Sequence, residues 1–284
     1  MADRFPAAPP ETAGASASLA EFVRRHDPDR FLCALFAPAA RRDALFALLA
    51  YNHELARARE AARTPMVALM RLQWWRDAVE DAAGGKPPRR HEVAAPVAEA
   101  IRAALLDPAD LLALADAREA EAEEEDAMPT VSAFAAYLRG TAGALQVAAG
   151  RLLGAPADAL PALLRRGTAY GAAGVLRAVP ALARQGRCLL PADLLAAHKL
   201  TAAHVVEAPF GHALRGVASD LLAAEELRAP PPAPVGGAWV AAALPAVLAR
   251  RDARRLLAHG TEAEPMRSTA DRLAVTVAAL RRRC

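Results

Sequence analysis

Three arginines stand close together in the second half of the chain: Arg177, Arg184 and Arg187. A guanidinium group binds phosphate or carboxylate oxygens, often through two parallel hydrogen bonds. These residues could therefore bind an anionic head group, such as a phospholipid or a diphosphate. The alternative for Arg177 is a pair with an acidic residue inside the protein, and both interpretations stay open. For Arg184 and Arg187 we favour the alternative in which they cap helix ends.

Acidic residues that could hold a metal ion occur in two places. Glu54 and Glu60 are six residues apart and lie on different faces of a helix, which favours surface ion pairs with nearby arginines over a metal site. The run from Glu119 to Asp126 has no opposing acidic cluster, so it predicts a solvated helix end or, alternatively, a patch that faces a partner. The seven histidines show no ligand spacing.

Several aromatic residues could line an apolar cavity for a ligand, among them Tyr51, Tyr170 and Trp75, together with Trp74 and Tyr137. Aromatic residues at helical spacing are more often part of an ordinary core, because they bury a large apolar area. Both interpretations stay open for these positions.

The elements that must position these residues are helices. Alanine and leucine are abundant while β-branched and aromatic residues are sparse, so the sequence predicts an all-α protein. Residues 1–18 are rich in Ala, Pro, Ser and Thr and predict a disordered tail, with the first helix starting near Ser18. The proline-rich segment 229–237 reads as a connector between helices, so residues 19–284 are expected to form one helical domain.

Composition excludes several classes of protein. The net charge of +3, from 35 basic and 32 acidic residues, is too small an imbalance to indicate nucleic-acid binding. The three cysteines form no Cys-x-x-Cys motif, which is typical of a reducing compartment. The longest apolar run, residues 235–249, is shorter than the roughly 20 residues of a membrane-spanning helix. Paired arginines leave a peripheral contact with an anionic membrane open.

The order of several short motifs resembles the squalene/phytoene synthase family over roughly residues 29–259. The motifs are Asp29-Arg30-Phe31, the arginine-containing helix start after Pro38, Leu72-Gln-Trp-Trp-Arg-Asp, Arg184-Gln-Gly-Arg187 and Leu190-Pro191. The resemblance implies an isoprenoid synthase fold, a single-domain helical bundle with a central cavity. It also implies head-to-head transfer on prenyl diphosphates, which requires Mg²⁺ between two acidic motifs on facing walls.

The chain departs from that family at the metal motifs. The leading aspartates of the first motif correspond to Ala56 and Arg57, and Glu60 is the trailing acid. In the second motif Ala178, Ala181 and Leu182 stand where acids are expected, directly after Arg177. An arginine would repel a metal ion, so the comparison assigns no catalytic residue, no metal site and no cofactor.

The same losses characterise one branch of the family, the complex I assembly factor 6-like proteins, which the segment Ala50-Tyr-Asn-His-Glu-Leu-Ala56 resembles. The leading interpretation is a catalytically inactive member that acts as a binding or assembly factor, with a subunit or assembly partner of the respiratory NADH dehydrogenase. The first residues resemble neither a secretory signal nor a mitochondrial targeting helix. We therefore expect a bacterial relative in the cytoplasm, or peripheral on the inner face of the membrane.

Two other functions stay open. One is an active head-to-head prenyltransferase with atypical ligands, which would need Mg²⁺. The other is an isoprenoid- or lipid-binding protein that uses the cavity without chemistry.

Overall fold

The computed structural model describes residues 11–62, 64–123, 128–210, 212–262 and 267–284. Over these ranges the chain forms helices and turns without a β-strand, which confirms the predicted all-α class. A single antiparallel bridge joins Pro234 to Arg283.

The helices are numbered here in chain order. The first half contains α1 Glu11–His26, α2 Pro28–Ala34, α3 Ala39–Glu60, α4 Pro65–Ala83, α5 Ala94–Arg102, α6 Pro108–Asp116, α7 Glu119–Glu123 and α8 Val131–Leu138. The second half contains α9 Ala144–Leu152, α10 Leu160–Ala183, α11 Ala192–Ala197, α12 Ala202–Glu207, α13 Ala213–Ala223, α14 Val240–Ala243, α15 Pro245–His259 and α16 Thr269–Arg281. A π-helical turn, Arg139–Gly143, joins α8 to α9.

Local capping explains where several helices begin and end. The Asp27 carboxylate accepts the N–H of Arg30 at 3.0 Å and caps the start of α2. The Thr64 hydroxyl accepts the N–H of Val67 at 3.4 Å at the start of α4, and Gly84 caps the end of that helix.

The first helix begins earlier than expected. The prediction places its start near Ser18, whereas α1 begins at Glu11, where the segment up to Ser18 contains three alanines and no proline. Of the predicted tail, residues 1–10 lie outside the described residues and residues 11–18 form the first part of α1.

Close packing against α10 depends on glycine. A Cβ atom on Gly167 would lie 2.4 Å from the carbonyl oxygen of Ala142, and one on Gly171 would lie 2.8 Å from the Cβ of the same alanine. Both glycines therefore allow α10 to pack closely against Ala142. Gly174 differs, because a Cβ there would meet no atom within 4 Å.

The buried apolar side chains form two clusters, and α10 contributes to both. Leu163 and Tyr170 pack in the larger cluster with α3 to α6, while Leu176 and Leu182 pack in the second with α8 and α13. The proline-rich segment is tied to the chain's last residues, because Ala233 and Cys284 exchange two backbone hydrogen bonds of 2.8 and 3.0 Å. Within the described ranges, none of the helices has the length and apolar character needed to cross a membrane.

Candidate functional site

The positions of the two metal motifs lie on α3 and α10. Ala56 is half-buried, while Arg57 and Glu60 are exposed near the end of α3. Arg57 Nη1 lies 3.8 Å from Glu54 Oε1, so the predicted surface ion pair of Glu54 is confirmed. On α10, Leu182 is buried in the second apolar cluster and Ala178 packs against it, and Ala181 is half-buried. This side of α10 presents alkyl groups rather than metal ligands.

Arg177 belongs to a buried cluster in the interior, the aspartate–arginine cluster, which consists of Asp29, Tyr170, Arg177, Asp252 and Arg267. Asp29 accepts hydrogen bonds from Arg267 Nε at 2.7 Å, Arg267 Nη2 at 2.6 Å and the Tyr170 hydroxyl at 3.0 Å. Arg267 also donates to Asp252, and Arg177 Nη1 lies 3.3 Å from Asp252 Oδ2 and 3.4 Å from Asp29 Oδ2. Two arginines thus bridge two buried carboxylates.

The charges within this cluster shift the pKa values of two of its members, Asp29 and Arg267. Burial alone would raise the pKa of Asp29, but the hydrogen bonds and charge of Arg267, the charge of Arg177 and the Tyr170 hydroxyl together hold it below its ordinary value. Burial would lower the pKa of Arg267, and the two carboxylates instead raise it. Asp29 and Arg267 are therefore both ionised at neutral pH. Of the two interpretations of Arg177, its geometry matches the pair with an interior acid.

A second buried cluster surrounds Glu121. Its carboxylate accepts hydrogen bonds from the Tyr137 hydroxyl at 2.7 Å, Arg118 Nη1 at 3.1 Å and Arg187 Nη2 at 3.1 Å. Arg118 Nη2 also donates to the Asn52 amide oxygen at 3.4 Å. Burial opposes ionisation of Glu121, yet Arg118, Tyr137 and Arg187 lower its pKa.

This geometry corrects two predictions. The acidic run is not simply a solvated helix end, because Glu121 is only 6% exposed and Glu119 is hydrogen-bonded to Arg76; residues 124–127 lie outside the described residues. Arg187 does not cap a helix, because it is drawn to a buried acid 66 residues away in the sequence. Arg184, in contrast, is exposed at the end of α10.

The buried carboxylates of the two clusters do not fit a Mg²⁺ ion. Magnesium requires several oxygen ligands in octahedral geometry, whereas Asp29, Asp252 and Glu121 are each held by two or more arginines. Within the described part of the chain, no group of three or more His, Cys, Asp or Glu side chains has the geometry to hold a metal ion. A cation between these carboxylates would have to displace guanidinium groups that already neutralise them.

The aromatic residues lie in the core. Tyr51 is fully buried, donates its hydroxyl hydrogen to the carbonyl oxygen of Leu111 at 2.9 Å, and packs edge-on against Trp75 with 5.4 Å between ring centroids. Burial raises the pKa of Tyr51. Trp75 is 5% exposed at the edge of a pocket of about 270 Å³ that Arg57 also lines. Tyr170 donates its hydroxyl hydrogen to Asp29, so its polar atom serves the interior cluster.

One arginine of the predicted anion site does reach a pocket. A pocket of about 450 Å³ lies between the end of α3 and the loop after α10, and is lined by Arg57, Arg59, Glu60, Gln185 and Arg187 among others. Arg59 Nε and Arg187 Nη1 are buried there and have no hydrogen-bond partner in the described structure. The structure therefore separates Arg187 from Arg177, which the sequence analysis had grouped together.

Sequence reasoning missed the partners in both clusters. Asp252 and Arg267 were not identified, and Glu121 was treated as solvated. Asp252 carried a weak signal, as an isolated acid among the arginines of an otherwise apolar helix. Arg267 carried none, since its partner Asp29 lies 238 residues away in the sequence.

Comparison with known proteins gives a consistent result. A family model described as squalene/phytoene synthase matches residues 23–277. Two similar proteins, from Bos taurus and Homo sapiens, are named NADH dehydrogenase (ubiquinone) complex I, assembly factor 6, and are 31% and 30% identical over 179 residues. Each match covers 63% of this chain and 53% of the relative, so the chain spans about half the length of these relatives.

A solved structure is similar over nearly the whole chain. It is described as a dehydrosqualene synthase in complex with ligand and aligns with a TM-score of 0.69, 14% identity, and coverage of 94% of this chain and 96% of that one. At this identity the likeness is one of fold, and it confirms the predicted isoprenoid synthase architecture.

Proposed function

Because the chain belongs to the squalene/phytoene synthase family, we propose that it is a member without prenyltransferase activity that serves as an assembly factor for the respiratory NADH dehydrogenase. One observation carries the proposal: the buried carboxylates Asp29, Asp252 and Glu121 are each paired with two or more arginines. The assembly role follows the name of the relatives that match 63% of the chain.

The argument against prenyl transfer is electrostatic. Ionisation of an allylic diphosphate concentrates negative charge on the leaving group, which metal ions must neutralise. Arg57 occupies a first-motif position, and Ala178, Ala181 and Leu182 provide no ligand on the opposite helix. The buried acids that remain are held in ion pairs with arginine, and breaking a buried pair costs about 3–5 kcal/mol.

The assembly role is tested by deleting the gene in the organism that carries it. Membranes are separated on a native gel and stained for NADH dehydrogenase activity. We expect less assembled enzyme in the deletion strain and recovery when the wild-type gene is returned. An unchanged level of assembled enzyme would contradict the assembly role.

The loss of catalysis is tested separately. Purified protein is incubated with farnesyl or geranylgeranyl diphosphate and Mg²⁺ or Mn²⁺, and released diphosphate is measured. We expect no release above a heat-inactivated control. Release above that control would restore the alternative of an active prenyltransferase with atypical ligands.

We also propose a location. The enzyme whose assembly this protein would serve is membrane-bound, so we place the protein on the cytoplasmic side, peripheral on the inner face of the membrane. Its partner there would be a subunit of that enzyme or another assembly protein. Fractionation that leaves the protein entirely away from membranes, in cells that are assembling the enzyme, would contradict this location.

A second candidate function is the binding of an isoprenoid or lipid phosphate without chemistry. It is supported by the unpaired Nε of Arg59 and Nη1 of Arg187 in the pocket between α3 and α10. Calorimetry with farnesyl diphosphate and with inorganic diphosphate, in the presence of a metal chelator, tests it. We expect Arg59→Gln to weaken binding roughly tenfold and Arg41→Gln, at an exposed site outside the pocket, to have no effect. Absence of binding by the wild-type protein would remove this candidate.

A further inference from the structure

A groove lies between α15 and α16, far along the chain from the metal-motif positions. Its volume is about 600 Å³. The floor is apolar and is formed by Val247 from α15 and by Ala274, Val277 and Ala278 from α16. Leu273 stands at its edge with 61% of its surface exposed. The groove therefore presents apolar side chains to solvent between two helices.

The rim of the groove is strongly basic. Five arginines line it and no acidic residue does: Arg250, Arg251, Arg254, Arg281 and Arg283. Arg251 is paired with Asp271 at 2.5 Å, and Arg250 donates to the carbonyl oxygen of Pro230 at 3.0 Å. Arg254, Arg281 and Arg283 are exposed and form no ion pair with any residue that the structure describes. The rim therefore carries positive charge that the described structure does not neutralise.

The two helices that form the groove are fixed to each other. Asp271, which is fully buried, accepts hydrogen bonds from Arg251 and Arg255 of α15, and its other oxygen accepts the backbone N–H and the hydroxyl hydrogen of Ser268. Burial alone would raise the pKa of Asp271, and these hydrogen bonds lower it. The groove is thus a preformed feature and not a gap between loosely packed helices.

We propose that this groove binds an acidic amphipathic helix of a partner protein. An amphipathic helix laid in a groove inserts apolar side chains spaced three or four residues apart, and acidic residues flanking that stripe would meet the arginines on both rims. The lining residues of α16 run from Ala270 to Arg281, which spans about 16 Å and accommodates roughly three helical turns of a ligand.

The shape of the surface favours a helix over a lipid bilayer. A peripheral membrane helix buries a wide apolar face in the headgroup region, whereas here Leu273 is exposed but the apolar floor residues are buried or half-buried between arginine rims. Leu280, which is 76% exposed on α16, does not line the groove. The inference rests on the proposed assembly role, because that role requires a partner protein.

Charge reversal on the rim tests the proposal in the deletion strain. The variant Arg254→Glu/Arg281→Glu changes two exposed rim residues. The matched control Arg165→Glu/Arg272→Glu changes two exposed arginines outside the groove, one of them on α16 itself. We expect the rim variant to restore roughly tenfold less assembled NADH dehydrogenase than the wild type, and the control to restore the wild-type level. Equal recovery with both variants would overturn the groove proposal and leave the assembly role intact.

A photo-crosslinking amino acid at Leu273, compared with one at Leu280, identifies the occupant. We expect a crosslink from position 273 to an acidic amphipathic helix of a protein, absent from position 280 and lost in the rim variant. A crosslink to lipid, to a second copy of this chain or to no molecule would overturn the proposal. If deletion leaves NADH dehydrogenase unchanged, the assembly role fails, and this crosslink still decides whether the groove binds a helix.

Both variants are first compared with the wild type by circular dichroism and thermal unfolding. The substituted residues are exposed, so we expect melting temperatures within a few degrees of the wild type. In parallel, vesicles of phosphatidylcholine with and without phosphatidylglycerol are floated with the protein. The protein could float only with vesicles that contain phosphatidylglycerol, and the rim variant alone could lose this flotation. That result would show that the groove binds an anionic membrane and would overturn the proposal.

Discussion

Substitution of Arg267 by methionine tests whether the interior ion pairs hold the fold together. Arg267 is the main counter-charge of Asp29, which it contacts at 2.6 and 2.7 Å, and of Asp252, which it contacts at 2.8 Å. Methionine keeps much of the side-chain volume and removes the charge and the hydrogen bonds. Arg177, at 3.3–3.5 Å from the same carboxylates, would be left as the nearest compensating charge.

The expected cost is large because both carboxylates are nearly inaccessible, with 7% of Asp29 and 2% of Asp252 exposed. Removing one partner of a buried ion pair typically costs about 3–5 kcal/mol. The free energy of unfolding of a folded domain is about 5–15 kcal/mol in total. The variant should therefore still fold, but with much of that free energy of unfolding lost. For a chain of this size we expect the melting temperature to fall by about 10 °C.

The measurement is urea unfolding followed by circular dichroism, with Arg139→Met as the matched control. Arg139 forms an ion pair of 2.9 Å with Glu226, but the two side chains are 41% and 56% exposed. Such a surface pair contributes about 0–1 kcal/mol. If Arg267→Met lowers the free energy of unfolding no more than Arg139→Met does, the interior ion pairs stabilise the protein no more than a surface pair.

The pH dependence provides an independent check on the same variant. In the wild type the pKa of Asp29 is below its ordinary value, so its contribution to stability is present above about pH 4 and is lost as the pH falls through the folded pKa. In the Arg267→Met variant the effect of burial would prevail and raise the pKa of Asp29. The free-energy cost of burying the unpaired Asp29 carboxylate would then decrease as the pH falls and the carboxylate is protonated. The difference in unfolding free energy between wild type and variant should therefore narrow from pH 7 to pH 4. A difference in unfolding free energy that stays constant from pH 7 to pH 4 would contradict the expected rise in the pKa of Asp29.

Two further substitutions test the packing and the second buried cluster. Gly167→Ala should destabilise the protein by about 1–3 kcal/mol, because its Cβ would lie 2.4 Å from the carbonyl oxygen of Ala142. Gly174→Ala, in the same helix but with no atom within 4 Å, should instead stabilise it by up to about 1 kcal/mol, and urea unfolding that ranks the two in the opposite order would refute the packing argument. Tyr137→Phe removes the 2.7 Å hydrogen bond to Glu121 and should cost about 1–2 kcal/mol at pH 7. That cost should shrink as the pH falls towards 4, because Tyr137 is one of the groups that lower the pKa of Glu121; a cost that grows would refute it.

The sequence predicted the helices better than it predicted the contacts between them. Capping by Asp27 and the stop at Gly84 depend on residues a few positions apart, so the local pattern contains the information. The resemblance also correctly implied the fold. The first helix was placed too late, because its alanine-rich start was interpreted as a tail.

The interior ion pairs could not be predicted in the same way. The sequence analysis allowed that Arg177 pairs with an interior acid, but it could not identify Asp29, 148 residues away. It assigned Glu121 to solvent because a run of acids is usually exposed, and tertiary packing instead places this one acid beside Arg118 and Arg187. Pairings of this kind depend on how α2, α7 and α10 meet, which no local periodicity encodes.

The helix α15 contributes residues both to the aspartate–arginine cluster and to the proposed binding groove. Asp252 and Arg254 are two positions apart, so they point to nearly opposite sides of the helix. Asp252 faces the interior and binds Arg267, while Arg254 faces outwards and lines the groove. The interior side thus holds the helix in place with charges that are neutralised within the protein. The outer side presents charge that the described structure leaves without a partner. Buried ion pairs thus hold α15 on one side, while its other side leaves an exposed arginine available for the helix binding that we propose.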